Sequence, residues 1–140
     1  MIDNKNKILA LITAQNSCDR IINTAKDYAK KLSCELVVLT SQPLKTTAEK
    51  RSKDMICLTK LSKKTEVDIK IIYSDSPLTS IISEVLTINP LHIFAGQGSE
   101  GSSFLAGLRI AVADTPISIV GKNSIIYTLP FGETLNEDLA

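Results

Sequence analysis

The sequence predicts an α/β fold: a five-strand parallel sheet in a three-layer sandwich, with strand order 3-2-1-4-5. Three observations lead there. Short apolar runs alternate with amphipathic helical stretches from about residue 7 to residue 120, the rhythm of strands joined by helical crossovers. The early runs Lys7 to Thr13 (KILALIT) and Glu35 to Thr40 (ELVVLT) are almost continuously apolar, as strands buried on both faces are. Enough chain separates successive runs for right-handed parallel connections. A length of 140 residues with 44% hydrophobic composition suits one core, placed at 1–130 and followed by a polar, acidic tail at 131–140.

Lys7 to Thr13 reads as the first strand. The polar stretch Ala14-Gln15-Asn16-Ser17 closes it, with Asn16 or Ser17 as the N-cap of the first helix. Ile21, Ala25, Tyr28, Ala29 and Leu32 recur at three and four residues and form that helix's apolar stripe. Glu35 to Thr40 is the second strand, ended by Pro43. Thr46 to Thr65 is a charged helix with Ala48, Arg51, Met55, Leu58 and Leu61 on one side. In Val67 to Tyr73 (VDIKIIY), Asp68 and Lys70 alternate with apolar residues, which marks an edge strand. Ser76 caps the third helix, Pro77 opens it, Ile81, Ile82, Val85 and Leu86 form its inner face, and Asn89-Pro90 stops it.

Leu91 to Ala95 is the fourth strand and Gly96 to Gly101 a glycine-rich turn. Phe104, Leu105, Leu108, Ala111 and Val112 form the buried side of the fourth helix, and Thr115-Pro116 ends it. Ile117 to Val120 is the fifth strand. Ser124 to Leu129 (SIIYTL) is a further extended run, expected beside the fifth strand or a partner's copy of it, because an uncovered apolar edge invites aggregation. The expected core is Ile8, Leu9, Leu11, Val37, Val38, Ile93 and Phe94.

Sixteen basic and fifteen acidic residues leave a formal charge of +1, so the sequence predicts neither a nucleic-acid nor a membrane partner. The basic residues from Lys45 to Lys64 are interrupted by Glu49 and Asp54 and read as the solvated face of a helix. A polar N-terminus runs straight into a short apolar stretch, unlike a signal peptide. Nowhere do apolar residues approach the roughly 20 of a spanning helix. Cys18, Cys34 and Cys57 are odd in number and form no C-x-x-C pair, which argues against a zinc site or a secreted disulfide framework and for a cytoplasmic location. His92, the single histidine, lies among apolar neighbours and reads as structural. With no H-E-x-x-H, G-x-S-x-G or complete Walker motif, the chain is expected not to be an enzyme. Asp75 ends the third strand, where a phosphorylated receiver aspartate would stand. No acidic pair follows the first strand to hold Mg²⁺, so Asp75 reads as part of the turn at Ser76-Pro77.

In parallel sheets ligands sit beyond the carboxyl ends of the strands, where the winding reverses. That places attention on Thr13 to Ser17, Thr40 to Gln42, Ser74 to Ser76 and Gly96 to Ser103. Gly96-Gln97-Gly98-Ser99-Glu100-Gly101 matches G-x-G-x-x-G between a strand and a helix, where glycines let the backbone approach an anion and the helix start supplies free N–H groups. Ser99, Ser102 and Ser103 add hydroxyl donors. A dinucleotide enzyme carries this pattern after its first strand, with an acidic residue about 20 positions on. Here it follows the fourth strand, and the next strand ends in Val120-Gly121-Lys122. Two readings remain: a phosphate cradle, or glycines that only permit a sharp reversal.

Across about residues 7 to 120 the chain resembles the universal stress protein family. The opening KILALITAQNSCDRIINTAKDYAKKLSCELVVLT resembles that family's first strand, serine-containing loop, helix and second strand. Ser74-Asp75-Ser76-Pro77 with Ile81-Ile82 resembles its G-x-P-x-x-x-I helix start, Leu91-His92-Ile93-Phe94-Ala95-Gly96 its fourth strand, and Thr115-Pro116-Ile117-Ser118-Ile119-Val120 its closing C-P-V-L-V-V. The resemblance implies the adenine-nucleotide α-hydrolase-like fold, a stress-response regulatory role, and a homodimer formed through the C-terminal strand region. It implies ATP or another adenine nucleotide as ligand, or a smaller phosphate compound, held by Thr13, Ala14, Thr40, Gly96, Gly98, Ser99, Gly101, Ser102 and Ser103. Gly98-x-x-Gly101 matches the first half of the family's G-x-x-G, nine residues, G-S/T motif. Ala111 stands where the second half would begin, Gly107 is followed by Leu108, and Thr13 or Ala14 replaces the family's aspartate. These departures predict weak or absent ATP binding with a smaller anion still accommodated. The alternative is a dimerisation or interaction domain of the same fold with a degenerate site.

Overall fold

Strand β1 (Lys7–Ile12) takes the centre of the sheet because five of its six residues, Ile8 to Ile12, are apolar and buried. It pairs in parallel with β2 (Glu35–Gln42) on one side and β4 (His92–Gly96) on the other, so Leu9 lies between Val37 and Ile93. Strand β3 (Ile69–Tyr73) flanks β2, β5 (Ile117–Val120) flanks β4, and β6 (Ile126–Leu129) pairs antiparallel to β5. The order is β3-β2-β1-β4-β5-β6. The five parallel strands thus follow the predicted 3-2-1-4-5 order, and the apolar run after them joins the fifth strand. The computed structural model describes residues 6–96, 101–121 and 126–129, with the backbone alone for 101–103 and 126–129. The polar tail lies outside the described residues.

Helices α1 (Asp19–Lys31) and α2 (Ala48–Thr65) cover one face of the sheet, and α3 (Pro77–Ile88) and α4 (Gly101–Ala111) the other. The alternation of side chains along each strand sorts the core accordingly. Ile8, Ala10, Val38 and Phe94 meet Ile21, Ile22, Ala25, Leu58 and Leu61. Leu9, Leu11, Leu39 and Ile93 meet Ile81, Val85, Leu108 and Val112. Gly107 faces this packing: a Cβ there would lie 2.7 Å from Leu78 Cδ2, so a larger residue would make the end of Leu78 shift.

Several local expectations are corrected. Val37 is half-buried because β3 begins pairing only at Val38, leaving Val37 without a neighbouring strand on that side. Leu86 is 63% exposed, since Ile81, Val85 and Ile88 set the inner stripe of α3 and Leu86 lies a quarter-turn beyond it. Leu32 follows the last residue of α1 and is exposed, as is Ala111 at the end of α4. Asn16 and Ser17 do not cap α1 but lie in a single 3-10 turn, Asn16–Cys18, that leads into it. Ser76 holds the N-cap position of α3 without a side-chain cap bond. Instead its backbone N–H donates to Ser74 Oγ at 2.9 Å. At α2 the cap is Thr47, whose hydroxyl accepts from the Lys50 backbone N–H at 3.1 Å.

Candidate functional site

The carboxyl ends of β1, β2, β4 and β5 converge with the first turns of α1 and α3 around a cavity of about 510 Å³. This is the point where the sheet's winding reverses between β1 and β4, the expected crevice of an open α/β sheet. Leu11, Ile12, Leu39 and Ala95 make its floor, Pro77, Ile81, Phe104 and Leu105 one wall, and Ile21, Val120 and Gly121 complete the apolar lining. Polar groups come from the segment after β1 (Thr13, Gln15, Ser17), from the first turn of α1 (Arg20) and from the end of β2 (Thr40, Ser41).

The residues singled out in the sequence fare differently. Thr13 lines the cavity, and its backbone N and Oγ1 each lie 3.5 Å from Cys18 Sγ, which ties the loop to the start of α1. Ala14 packs against the core beneath α1 and does not line the cavity. Thr40 lines it while only 1% exposed, and its Oγ1 has no hydrogen-bond partner among the described residues. Gly96 also lines it, and a Cβ there would come within 2.7 Å of Ile21 Cδ1. A side chain at this position would require the end of Ile21 to shift. Gly98 and Ser99 fall outside the described residues. Gly101, Ser102 and Ser103 form the first turn of α4 by their backbone. Asp75 is exposed and lies off the cavity.

Gln15, Ser17 and Ser41 fall within the loop and strand-end ranges the sequence pointed to, whereas sequence reasoning missed Arg20. Arg20 is half-buried, and its Nε donates to the Ser17 carbonyl at 3.4 Å. It is the one charged side chain among the described residues that line the cavity. Its signal was positional: it sits in the first turn of the helix that follows the central strand, next to the stripe residue Ile21.

The other chemically notable groups lie apart. His92 stands at the opposite end of β4 with Nε2 and Ser118 Oγ 2.7 Å apart, and its ring stacks on Phe94 at 4.7 Å and tilts against Tyr28 at 4.9 Å. Burial holds its pKa below the usual histidine value. This is a satisfied structural histidine. The Cys57 thiol is pushed up by burial and then by nearby Cys18 and Asp54, with Lys60 opposing, which lowers its thiolate fraction. Its Sγ donates to Asn16 Oδ1 at 3.4 Å. No helix among the described residues is long and apolar enough to cross a membrane.

No family model matches the sequence, and no curated protein matches it. Solved structures do. The universal stress protein from Archaeoglobus fulgidus superposes with a TM-score of 0.64 at 14% identity, over 81% of this chain and 92% of that one. The same-named protein in complex with dAMP gives 0.62 at 15%, over 84% and 98%. A universal stress protein in complex with cAMP gives 0.60 at 11%, over 85% and 98%. A deacetylase of teicoplanin biosynthesis is similar at 0.54 and 12% identity, over 94% of this chain and 69% of that one. At these identities the likeness concerns architecture: the chain has the adenine-nucleotide α-hydrolase-like fold of the universal stress proteins.

Proposed function

We propose that this chain is a universal-stress-type regulatory domain that binds an adenine nucleotide or a related phosphate-containing ligand in the cavity at the carboxyl ends of β1, β2, β4 and β5. The observation that carries this reading is the cavity itself. Its volume of about 510 Å³ falls inside the roughly 300–1,000 Å³ of small-molecule sites, and its mainly apolar walls with a few convergent polar groups have the usual composition of such sites. Two of the similar structures hold cAMP and dAMP, which makes an adenine nucleotide the first candidate. Gly101 opens α4, whose Phe104 and Leu105 line the cavity, so the start of this helix is a second source of phosphate donors.

The domain acts by binding, and ATP is a poor ligand: no carboxylate lines the cavity among the described residues, where the family's aspartate would help hold the nucleotide. Titration calorimetry with AMP and ATP is the test. The expected ATP dissociation constant lies above about ten micromolar; tighter binding overturns the weak-ATP reading. Mass spectrometry of the denatured, natively purified chain identifies any retained ligand.

A second reading, self-association through the C-terminal strand, is favoured by one observation: β6 ends the described sheet. Its unpaired side then offers backbone groups to another copy. Light scattering at tens of micromolar should return a dimer, and a monomer counts against it.

A further inference from the structure

We infer that residues 131–140 fold back as an amphipathic helix into an apolar groove on the outer surface of the α3 and α4 pair. Both helices connect parallel strands in the same sense, so they run parallel, and they meet where Leu78 lies against Gly107. From that crossing Ile82 and Leu86 continue along α3 at four-residue steps, and Ile110 stands one turn on along α4. Residues so spaced share one side of their helix, and these flank a single furrow. None of them is charged. Leu78 and Ile82 are half-buried, whereas Leu86 is 63% and Ile110 73% exposed. Toward the amino ends of the helices the furrow opens into a cleft of about 360 Å³ whose lining includes Pro77 and Phe104. A connected apolar strip of this kind marks an interaction surface, and a furrow between two helices suits the apolar side of a third.

The chain itself carries the matching segment. Strand β6 ends at Leu129, opposite Ile117, and only Val112 to Pro116 separate Ile117 from the end of α4. Residues 130–140, which lie outside the described residues, therefore start beside the carboxyl end of the furrow, near Ile110. Phe131, Leu135 and Leu139 recur in them at four-residue spacing, which on a helix sets the three along one side, with Glu133 and Glu137 opposite. Ten helical residues span about 15 Å, close to the roughly 16 Å of the eleven residues of α4. Running antiparallel to α4, the stripe meets Ile110, then Gly107, then the cleft beside Phe104. A helix this short is unstable alone in water, so burial of its stripe in the furrow is what orders it. The same direction carries Glu137 and Asp138 toward the amino ends of α3 and α4, whose dipoles favour acidic groups. Pro77 and Phe104 also line the larger cavity, so the seated helix packs behind one wall of it.

Amide hydrogen exchange of the full chain, read by mass spectrometry, tests this with the wild type and the variants Leu135→Asp and Ile110→Asp. In the wild type the amides of residues 134–139 should exchange at least about tenfold more slowly than in an unstructured chain, and dilution should leave the rate unchanged. Each variant should return them to unstructured rates, L135D by spoiling the stripe and I110D by spoiling the furrow. Should I110D lose helical circular dichroism, Leu86→Asp carries the same comparison from the other wall. Unstructured rates in the wild type overturn the proposal. Protection that survives L135D shows that the apolar stripe does not seat the segment, and protection that survives I110D or L86D places it away from the furrow; either overturns the docking. Protection lost on dilution assigns the furrow to the same segment of a second copy and overturns the folding back within one chain.

Discussion

Helices α1 and α2 cover the same face of the sheet but are held to it differently. Helix α1 buries Ile21, Ile22, Ala25 and Ala29 in thirteen residues, directly above the central strands β1 and β4. Helix α2 is longer, yet in eighteen residues it buries only Leu58, Leu61 and Thr65, and it carries six Lys or Arg against two acidic residues. Polar contacts help to hold it: the Thr47 cap, Lys26 Nζ donating to the Thr65 carbonyl at 2.6 Å, and the Lys64–Asp19 pair at 2.7 Å. The guanidinium of Arg51 lies 4.9 Å from the centre of the Tyr73 ring at the sheet edge. The helix over the winding reversal thus carries apolar stability and a wall of the cavity together, through the adjacent residues Arg20 and Ile21. The peripheral helix presents mostly charge to solvent.

Core truncation tests that contrast most severely. Ile22→Ala removes a fully buried side chain and should cost about 2–5 kcal/mol in urea unfolding. Leu58→Ala should fall near the lower end of that range, because a thinly covered helix relaxes into the space; equal costs would break the comparison. Next in size, Thr47→Ala deletes the cap of α2 and should cost about 1 kcal/mol, with fraying visible as faster amide exchange in its first turn.

The third prediction concerns pH on the α1 side, where Tyr28 packs against His92. Burial places the folded-state pKa of His92 below the usual histidine value, which is about 6.5. As pH falls below 6.5, the unfolded chain takes up a proton that the folded chain refuses, so stability falls until the folded pKa is reached. Denaturant midpoints at pH 7.5 and 5.5 should therefore differ more for the wild type than for H92Q. An identical difference would show that His92 is not held neutral. The smallest effect belongs to Ile56→Ala, at a residue 57% exposed on α2: the expected change is within about 0.5 kcal/mol, and a larger loss would reveal a buried role for that outer face.

Much of this was legible in the residues. The runs KILALIT and ELVVLT announced buried parallel strands, the alternation in VDIKIIY an edge, and SIIYTL an additional strand, because these patterns record which side of its own element each residue faces. Local geometry was less legible. Asn16 and Ser17 do not cap α1, and Ser76 stands at the N-cap of α3 without a side-chain cap bond, because a serine or asparagine before a helix does not reveal which way its side chain turns. Leu86 was misjudged because α3 is apolar over more of its circumference than the sheet can cover.

The candidate site divides along the same line. Sequence alone indicated the crevice beyond the strand ends and named Thr13, Thr40 and Gly96, because strand–helix alternation implies where the winding reverses. The tertiary structure decided that Thr40 is buried with its hydroxyl unpartnered among the described residues, that the end of Ile21 lies over Gly96, that Ala14 packs against the core, and that Arg20 supplies the charge among the described lining residues. Periodicity is a local property of ten or twenty residues. The lining of a cavity depends on which strand ends the four helical crossovers bring together, and no repeat within one segment encodes that.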